Sequence, residues 1–275
     1  MNIIECFLSL SHSLDFSRAG LMHHHHRTAL IALNIGKAAG LVDRDLLELF
    51  QASIIHDIGI INWKEKADLI KFDIDSPWGH CSRGSEMVHR HSSLQHLSPI
   101  ILSHHDHWSG NNSSGLSKDR IPLPSRVIHL ADRADILIKP NQNILDQSKT
   151  ILDKLRSQSG VLFDPNLVAV FEELAQKDSF WFDLTSPWED ECLKELLPIQ
   201  SIPDELTYSL DIAQLFATVV DTKSPFTYRH SRGVAAIAGF MGEQSGFSPG
   251  HCTYMEIAGL LHDLGKLSVP NELLE

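Results

Sequence analysis

Seventeen histidines in 275 residues are about three times what ordinary usage of about 2% would supply, and their neighbours suggest a use for them. His56-Asp57 is an adjacent pair at the end of an apolar stripe. His104-His105-Asp106 comes after a second apolar stretch, Asp132 is an acid inside the otherwise apolar run "RVIHLADRAD", and His26 opens a helical pattern upstream. Imidazole nitrogen and carboxylate oxygen are borderline-to-hard donors suited to iron, manganese, zinc or nickel. A carboxylate has two oxygens and can bridge two ions. Two cations roughly 3.5–4 Å apart can activate a water and clamp a phosphoryl group through in-line displacement. Each residue alone would read as a cap or a surface group; a His-Asp pair, a His-His pair and a late Asp on an apolar helix read together as a metal site. Within the run His23 to His26 only His26 is assigned as a ligand. His23, His24, His25, His89, His91, His96 and His107 read as surface or supporting residues.

The elements that must position these groups are helical. Ala29, Leu30, Leu33 and Ala38 recur at helical spacing, with Gly40 as a stop. Asp43 suits an N-cap for the next helix, whose stripe is Leu46, Leu47, Phe50, Ile54 and Ile58. Pro77, Gly79 and Gly84 punctuate the next stretch, and Pro99 opens a helix running into Ser103, His104 and His105. Ser109 to Ser117 reads as a Gly/Asn/Ser-rich loop, and helical patterns resume over 124–138, 143–155 and 165–175. Alternating strand patterns are scarce. The predicted class is all-α, a helical bundle with its chemistry inside.

Composition narrows the function. Hydrophobic residues at 43% and charged residues at 21% are ordinary globular proportions. A net charge of −12 argues against a broad basic surface for duplex nucleic acid, so a phosphate ligand would need local charge from a metal or a few Lys and Arg. No apolar run approaches the roughly 18 residues that span a bilayer and the first residues lack a signal pattern, so the expectation is a cytoplasmic protein without membrane contact. Cys6, Cys81, Cys192 and Cys252 form no CxxC pair and read as idle thiols.

The chain repeats itself. "HRTALIALNIGKAAGL" from His26 and "ASIIHDIGI" find counterparts in "HSRGVAAIAGFMGEQSGF" from His230 and "AGLLHDLGK". His26 precedes His56 by 30 residues, and His230 precedes His262 by 32. A linker is expected between Leu197 and Glu205, around Pro198 and Pro203. The expected organisation is residues 1–197 as one whole unit and 198–275 as the front half of a second, which carries His230, His262, Asp263 and Lys266.

The ordered set "HRTALIA", "IIHDIG", "HCSRG", "ILSHHDHWSG" and "IPLPSRVIHLAD", with the tail "FDPNLVAVFEEL", resembles the HD-GYP family of metal-dependent phosphohydrolases, a branch of the HD superfamily, over about residues 12 to 185. The resemblance implies an all-helical domain with a two- or three-iron centre that hydrolyses cyclic di-GMP or cyclic GMP-AMP. By motif, His26, His56, Asp57 and Asp132 would hold one metal, and Asp57 would bridge to a second held by His80, His104 and His105. His80 enters through HxxxG with Gly84. No acidic residue near Met22 answers to a third-metal ligand, so two divalent ions are expected, iron first and manganese or another ion next.

The departures are specific. Where the family has HHExxDGxGYPxGL this chain reads "HHDHWSGNNSSGL", one residue shorter and without Gly-Tyr-Pro, with Asp106 for Glu and Ser109 for Asp. The lysine of HDxGK is Ile60 in the first copy and Lys266 in the second. Three functions are therefore in play. One is a cyclic-dinucleotide phosphodiesterase, with Asp57 and Asp106 as catalytic residues and Arg27, Arg133 and Lys139 as phosphate contacts or plain helix-face cations. A weakly active or inactive nucleotide-sensing module is the alternative, and a phosphohydrolase of mononucleotides is a third. An orphaned half-domain would expose apolar residues such as Leu260 and Leu261, which suggests a homodimer.

Overall fold

A computed structural model describes residues 3–16, 23–60, 65, 71–72, 76–197, 205–222 and 230–269. In chain order the helices are α1 (Ile3–Phe16), α2 (His24–Ala38), α3 (Asp43–Ile55), α4 (Trp78–His89), α5 (Ser98–Leu102), α6 (Leu123–Ile136) and α7 (Ile144–Ser157), and then α8 (Pro165–Leu174), α9 (Asp178–Asp183), α10 (Glu189–Leu196), α11 (Glu205–Thr222), α12 (His230–Gln244) and α13 (Pro249–Leu261). Among the described residues there is no strand, only an isolated bridge between Ser159 and Phe163. The fold is all-α, as the helical periodicity predicts.

The chain divides into two compact units, one of residues 23–85 and 97–199, the other of 1–22, 86–96 and 200–275. In the larger unit α2 is the central element. Residues Thr28 to Leu33 are all at most 1% exposed, so this helix is covered on every side rather than along one stripe. It packs on α3, α6, α8 and α10. A Cβ at Gly36 would come within 2.6 Å of Leu49, which shows how closely α2 and α3 approach. Gly40, at φ 89°, ends the connection after α2 as expected. Asn143 and Asp164 cap α7 and α8 by accepting from the amides of Leu145 and Asn166.

Two local expectations are corrected. Asp43 is the first residue of α3, not its cap; Val42 precedes it in extended conformation. Gly79 and Gly84 do not interrupt the chain but lie within α4, and a Cβ at Gly84 would meet the Ile101 side chain at 3.0 Å and the Gly59 nitrogen at 3.3 Å. The predicted linker prolines Pro198 and Pro203, and Met22, lie outside the described residues.

In the smaller unit α11, α12 and α13 pack on one another, and α1 packs on α11 and on the 3₁₀ turn Leu264–Ser268. Its small core holds Ala213, Ala217, Ala235, Ile257 and Leu260.

Candidate metal centre

The His-Asp pair comes directly after α3, in the turn 56–59. Asp57 stands at the middle of a buried group. Its Oδ1 lies 3.3 Å from His80 Nε2 and 3.7 Å from His104 Nε2, and its Oδ2 lies 3.6 Å from His56 Nε2 and 4.0 Å from His24 Nε2. Asp132 Oδ1 is 3.5 Å from His24 Nε2, and Asp132 Oδ2 is 3.8 Å from His105 Nε2. All these side chains are at most 4% exposed. Four helices or their ends deliver them: α2 brings His24, α3 His56 and Asp57, α4 His80 and α6 Asp132, while the turn after α5 supplies His104 and His105.

The donors sort into two sets that share Asp57. Asp57, His80, His104 and His105 form one, and His24, His56 and Asp57 form the other, with Asp132 beside His24. The structure does not bring His26 to this place. Its Nε2 faces Asp190 at 3.3 Å, because successive residues on a helix turn by about 100° and two steps rotate a side chain to nearly the opposite face. His24 stands where His26 was expected. A signal existed in the sequence: His24 precedes His56 by 32 residues, the same separation as His230 and His262.

Protein groups orient these rings. His56 Nδ1 donates to the carbonyl of Ser53 and His104 Nδ1 to that of Ile101, both at 2.7 Å. A carbonyl only accepts, so Nδ1 carries a proton and Nε2 is the nitrogen turned to the centre. His24 Nδ1 meets Asp135 at 2.7 Å, and Arg27 Nε donates to the other Asp135 oxygen at 2.5 Å. No motif marks Asp135 in the sequence. If His24 holds a metal ion, Asp135→Asn is expected to weaken that ion by about 10–100-fold, as loss of a carboxylate behind a ligating histidine does, and to leave an ion at His80 and His104 unchanged in a chelator-competition titration.

Family models of the HD domain match residues 9–167, more than half of the chain, and residues 227–275. This chain belongs to the HD-domain family. Among curated relatives it is similar to the 3'3'-cGAMP-specific phosphodiesterase 1 of Vibrio cholerae, 28% identical over 286 residues, covering 100% of this chain and 65% of that protein. It is also similar to a cyclic di-GMP phosphodiesterase of Thermotoga maritima, 27% identical over 165 residues, 56% of this chain and 44% of the relative. The chain thus spans about two thirds of the length of the first of these. In fold it resembles the crystal structure of a cyclic GMP-AMP specific phosphodiesterase of V. cholerae, with a TM-score of 0.71 and 24% identity over 98% of this chain and 72% of that one.

The buried HD donors fit metal ions. His56 Nε2, His105 Nε2 and Asp132 Oδ1 are buried without a hydrogen-bond partner, an arrangement that costs free energy unless something else binds there. The acid groups also draw protons in the absence of a cation. Burial lowers the affinity of His80 for a proton, but its hydrogen bonds and charge contacts with Asp57 and Cys81 outweigh this and raise it to about 8. Burial likewise works against a proton on His24 and on His104, and Asp135 with Asp132 and Asp57 in the first case, Cys81 with Asp57 in the second, hold both above the ordinary range. Metal must displace these protons. Manganese affinity is therefore expected to fall as pH drops through about 8, with protons released on binding, measurable by titration calorimetry in buffers of different ionisation enthalpy.

The altered loop after the HD histidines is knit by its own side chains. Asn112 accepts from the His107 amide and donates to the carbonyls of His107 and Leu116. Ser114 Oγ donates to Asp106 Oδ2 at 2.5 Å. Burial raises the Asp106 carboxyl above its usual range, against that hydrogen bond. His129, another residue no motif marks, sits edge-on to His105 with ring centroids 5.5 Å apart and donates to the Asp106 carbonyl. Burial, aided by Arg133, pushes it down to about 3, so it stays neutral.

Two arginines near this HD site face inward. Arg133 is 2% exposed, donates to Asp132 from Nε and Nη2, and reaches the carbonyls of Lys71 and Phe72 from Nη1. Arg27 pairs with Asp135. Lys139 is exposed beyond the end of α6, and Ile60 is buried. In the smaller unit His230, His262 and Asp263 gather in the same way: the two Nε2 atoms are 3.2 Å apart, and Asp263 Oδ2 is 3.6 Å from His230 and 3.2 Å from His262. Lys266 pairs with Asp263. His262 Nδ1 donates to the Gly259 carbonyl, as His56 does to Ser53.

Proposed function

We propose that residues 1–197 act as a metal-dependent phosphodiesterase that opens a cyclic dinucleotide, cyclic GMP-AMP or cyclic di-GMP, to its linear form, and that 198–275 are the front half of a second HD domain. The observation that carries this reading is the pair of buried donor sets sharing Asp57. The relatives named for those substrates support the choice of ligand. His24, His56, Asp57 and Asp132 would hold one divalent ion, and Asp57, His80, His104 and His105 a second, with iron as the first choice and manganese next. When bound, such ions supply Lewis acidity toward a phosphoryl oxygen and acidify water.

The chain's own groups do the rest. A cavity of about 70 Å³ is lined among others by His105, His129 and Arg133 and gives a substrate phosphate a way to the donor set. Asp106, whose carboxyl burial raises above its usual range, is the candidate to pass a proton to the leaving oxygen. Neutral His129 packs edge-on against His105 and holds that ring in place. The proposed setting is the cytoplasm, where the substrate is met in solution. No described helix is long and apolar enough to cross a membrane.

A second reading is favoured by the inward-facing cations. With Arg27 and Arg133 paired to Asp135 and Asp132, and Ile60 where the second copy has Lys266, these two arginines, among the described residues, are turned away from a phosphate, which suits a sensing module with slow or no turnover. Product chromatography separates the two after anaerobic loading with Fe(II) or Mn(II), using cyclic di-GMP and cyclic GMP-AMP. Linear product that vanishes in Asp57→Ala supports the enzyme. Two bound metals with no product would reject it and favour the sensor.

A further inference from the structure

Cys81 is the next residue after the proposed ligand His80 on α4 and is completely buried. Its Sγ lies 3.6 Å from His80 Nε2 and 4.0 Å from His104 Nε2, and those two nitrogens are 3.2 Å apart. The three atoms make a triangle whose sides can be compared with the demands of a shared ion. Zinc-type bonds of about 2.3 Å to sulfur and 2.0–2.1 Å to nitrogen, at tetrahedral angles, separate two nitrogens by about 3.4 Å and a sulfur from a nitrogen by about 3.6 Å. The observed separations fit within a few tenths of an ångström. His104 Nδ1 donates to the Ile101 carbonyl, so Nε2 is the nitrogen it turns to this triangle. His105, 2% exposed and with its Nε2 lacking a hydrogen-bond partner, gathers with Asp57, His80 and His104.

We propose that the Cys81 thiolate is itself a ligand of the metal ion held by His80 and His104, giving this position a mixed sulfur, nitrogen and oxygen donor set. The inference rests on the metal-centre reading. As the metal–sulfur bond forms the S–H bond breaks, and its proton, donated to the Pro77 carbonyl at 3.4 Å in the metal-free state, leaves to the buffer. No electrons change hands. A thiolate is a soft donor, so this position takes a borderline-soft divalent ion such as zinc, cobalt or iron(II) in preference to manganese or magnesium. Nothing along the chain hints at this, because a metal-binding cysteine is sought as CxxC, whereas this one acts beside a histidine.

The test is reconstitution of the full chain with cobalt(II). Wild type is expected to show an intense near-ultraviolet thiolate-to-cobalt charge-transfer band that is lost in Cys81→Ser and Cys81→Ala and kept in Cys192→Ser and Cys252→Ser, with far-ultraviolet circular dichroism verifying the fold of each. Preference for zinc over manganese, read by elemental analysis, is expected to drop about tenfold or more in Cys81→Ser, the scale of loss of one contact to a bound metal. Cobalt bound without the band, or a band that survives in both Cys81 variants, would overturn the assignment and leave the metal centre standing. Failure of wild type to bind cobalt at all would overturn both.

Discussion

Asp57→Ala is expected to bind neither metal ion and to lose phosphodiesterase turnover by about 10³-fold or more, while keeping its helical circular dichroism. The expected size comes from position. One oxygen of Asp57 faces His80 and His104, and the other faces His56 and His24, so a single side chain belongs to both donor sets. Losing one well-placed electrostatic group costs about 10²–10³ in rate, and on the proposed reading this change takes an anionic ligand from two ions whose Lewis acidity the reaction would use. Elemental analysis after gel filtration reads the metal loss directly. An Asp57→Ala protein that kept both ions would show that the two sets are held independently of this carboxylate.

The second large effect is expected from a residue with no side chain. Gly59 lies two residues beyond Asp57, and a Cβ there would lie 2.1 Å from the His80 carbonyl oxygen, 2.5 Å from the Gly84 nitrogen and 3.0 Å from the Gly84 Cα. All three are backbone atoms, so relief requires moving α4 away from the turn. Arg83 Nε donating to the Gly59 carbonyl at 2.9 Å fastens the same two segments. Overpacking in a close-packed interior costs about 1–3 kcal/mol and more where backbone must shift. Gly59→Ala is expected to lose about 3 kcal/mol or more, a fall of about 6–12 °C in Tm for a unit of this size, and to weaken the ion at His80 because that helix carries it. Gly84→Ala meets mainly the side chain of Ile101, at 3.0 Å, and is expected to cost less. Thermal denaturation of the two variants side by side checks the order; equal losses would contradict the backbone explanation.

Gly84 also shows where local sequence signals stop. Glycine in a helix is costly by propensity alone, so Gly79 and Gly84 look like punctuation from the sequence, yet both lie inside α4. The close approach to Gly59 that favours a residue without a side chain exists only after residues 58–60 and 80–84 have been brought together. His80 is unremarkable on its own terms for the same reason: nothing local marks it, and only its neighbours in space do.

What could be read along the chain was what depends on near neighbours. Helical periodicity determined the all-α class and most helix positions, and adjacency alone marked His56 with Asp57 and His104 with His105, because paired donors at a helix end stay together however the helices pack. Contacts across the larger unit decided the rest. Four consecutive histidines differ only in the direction they point, and packing of α2 against α6 set His24 beside Asp132 and Asp135 while His26 faces Asp190. The same packing turned Arg133 inward onto Asp132 and put Cys81 beside two histidines. Periodicity tells which residues share a face of one helix, but which partner that face meets is a property of the packed core, where donors 23 to 108 residues apart along the chain come within a few ångströms.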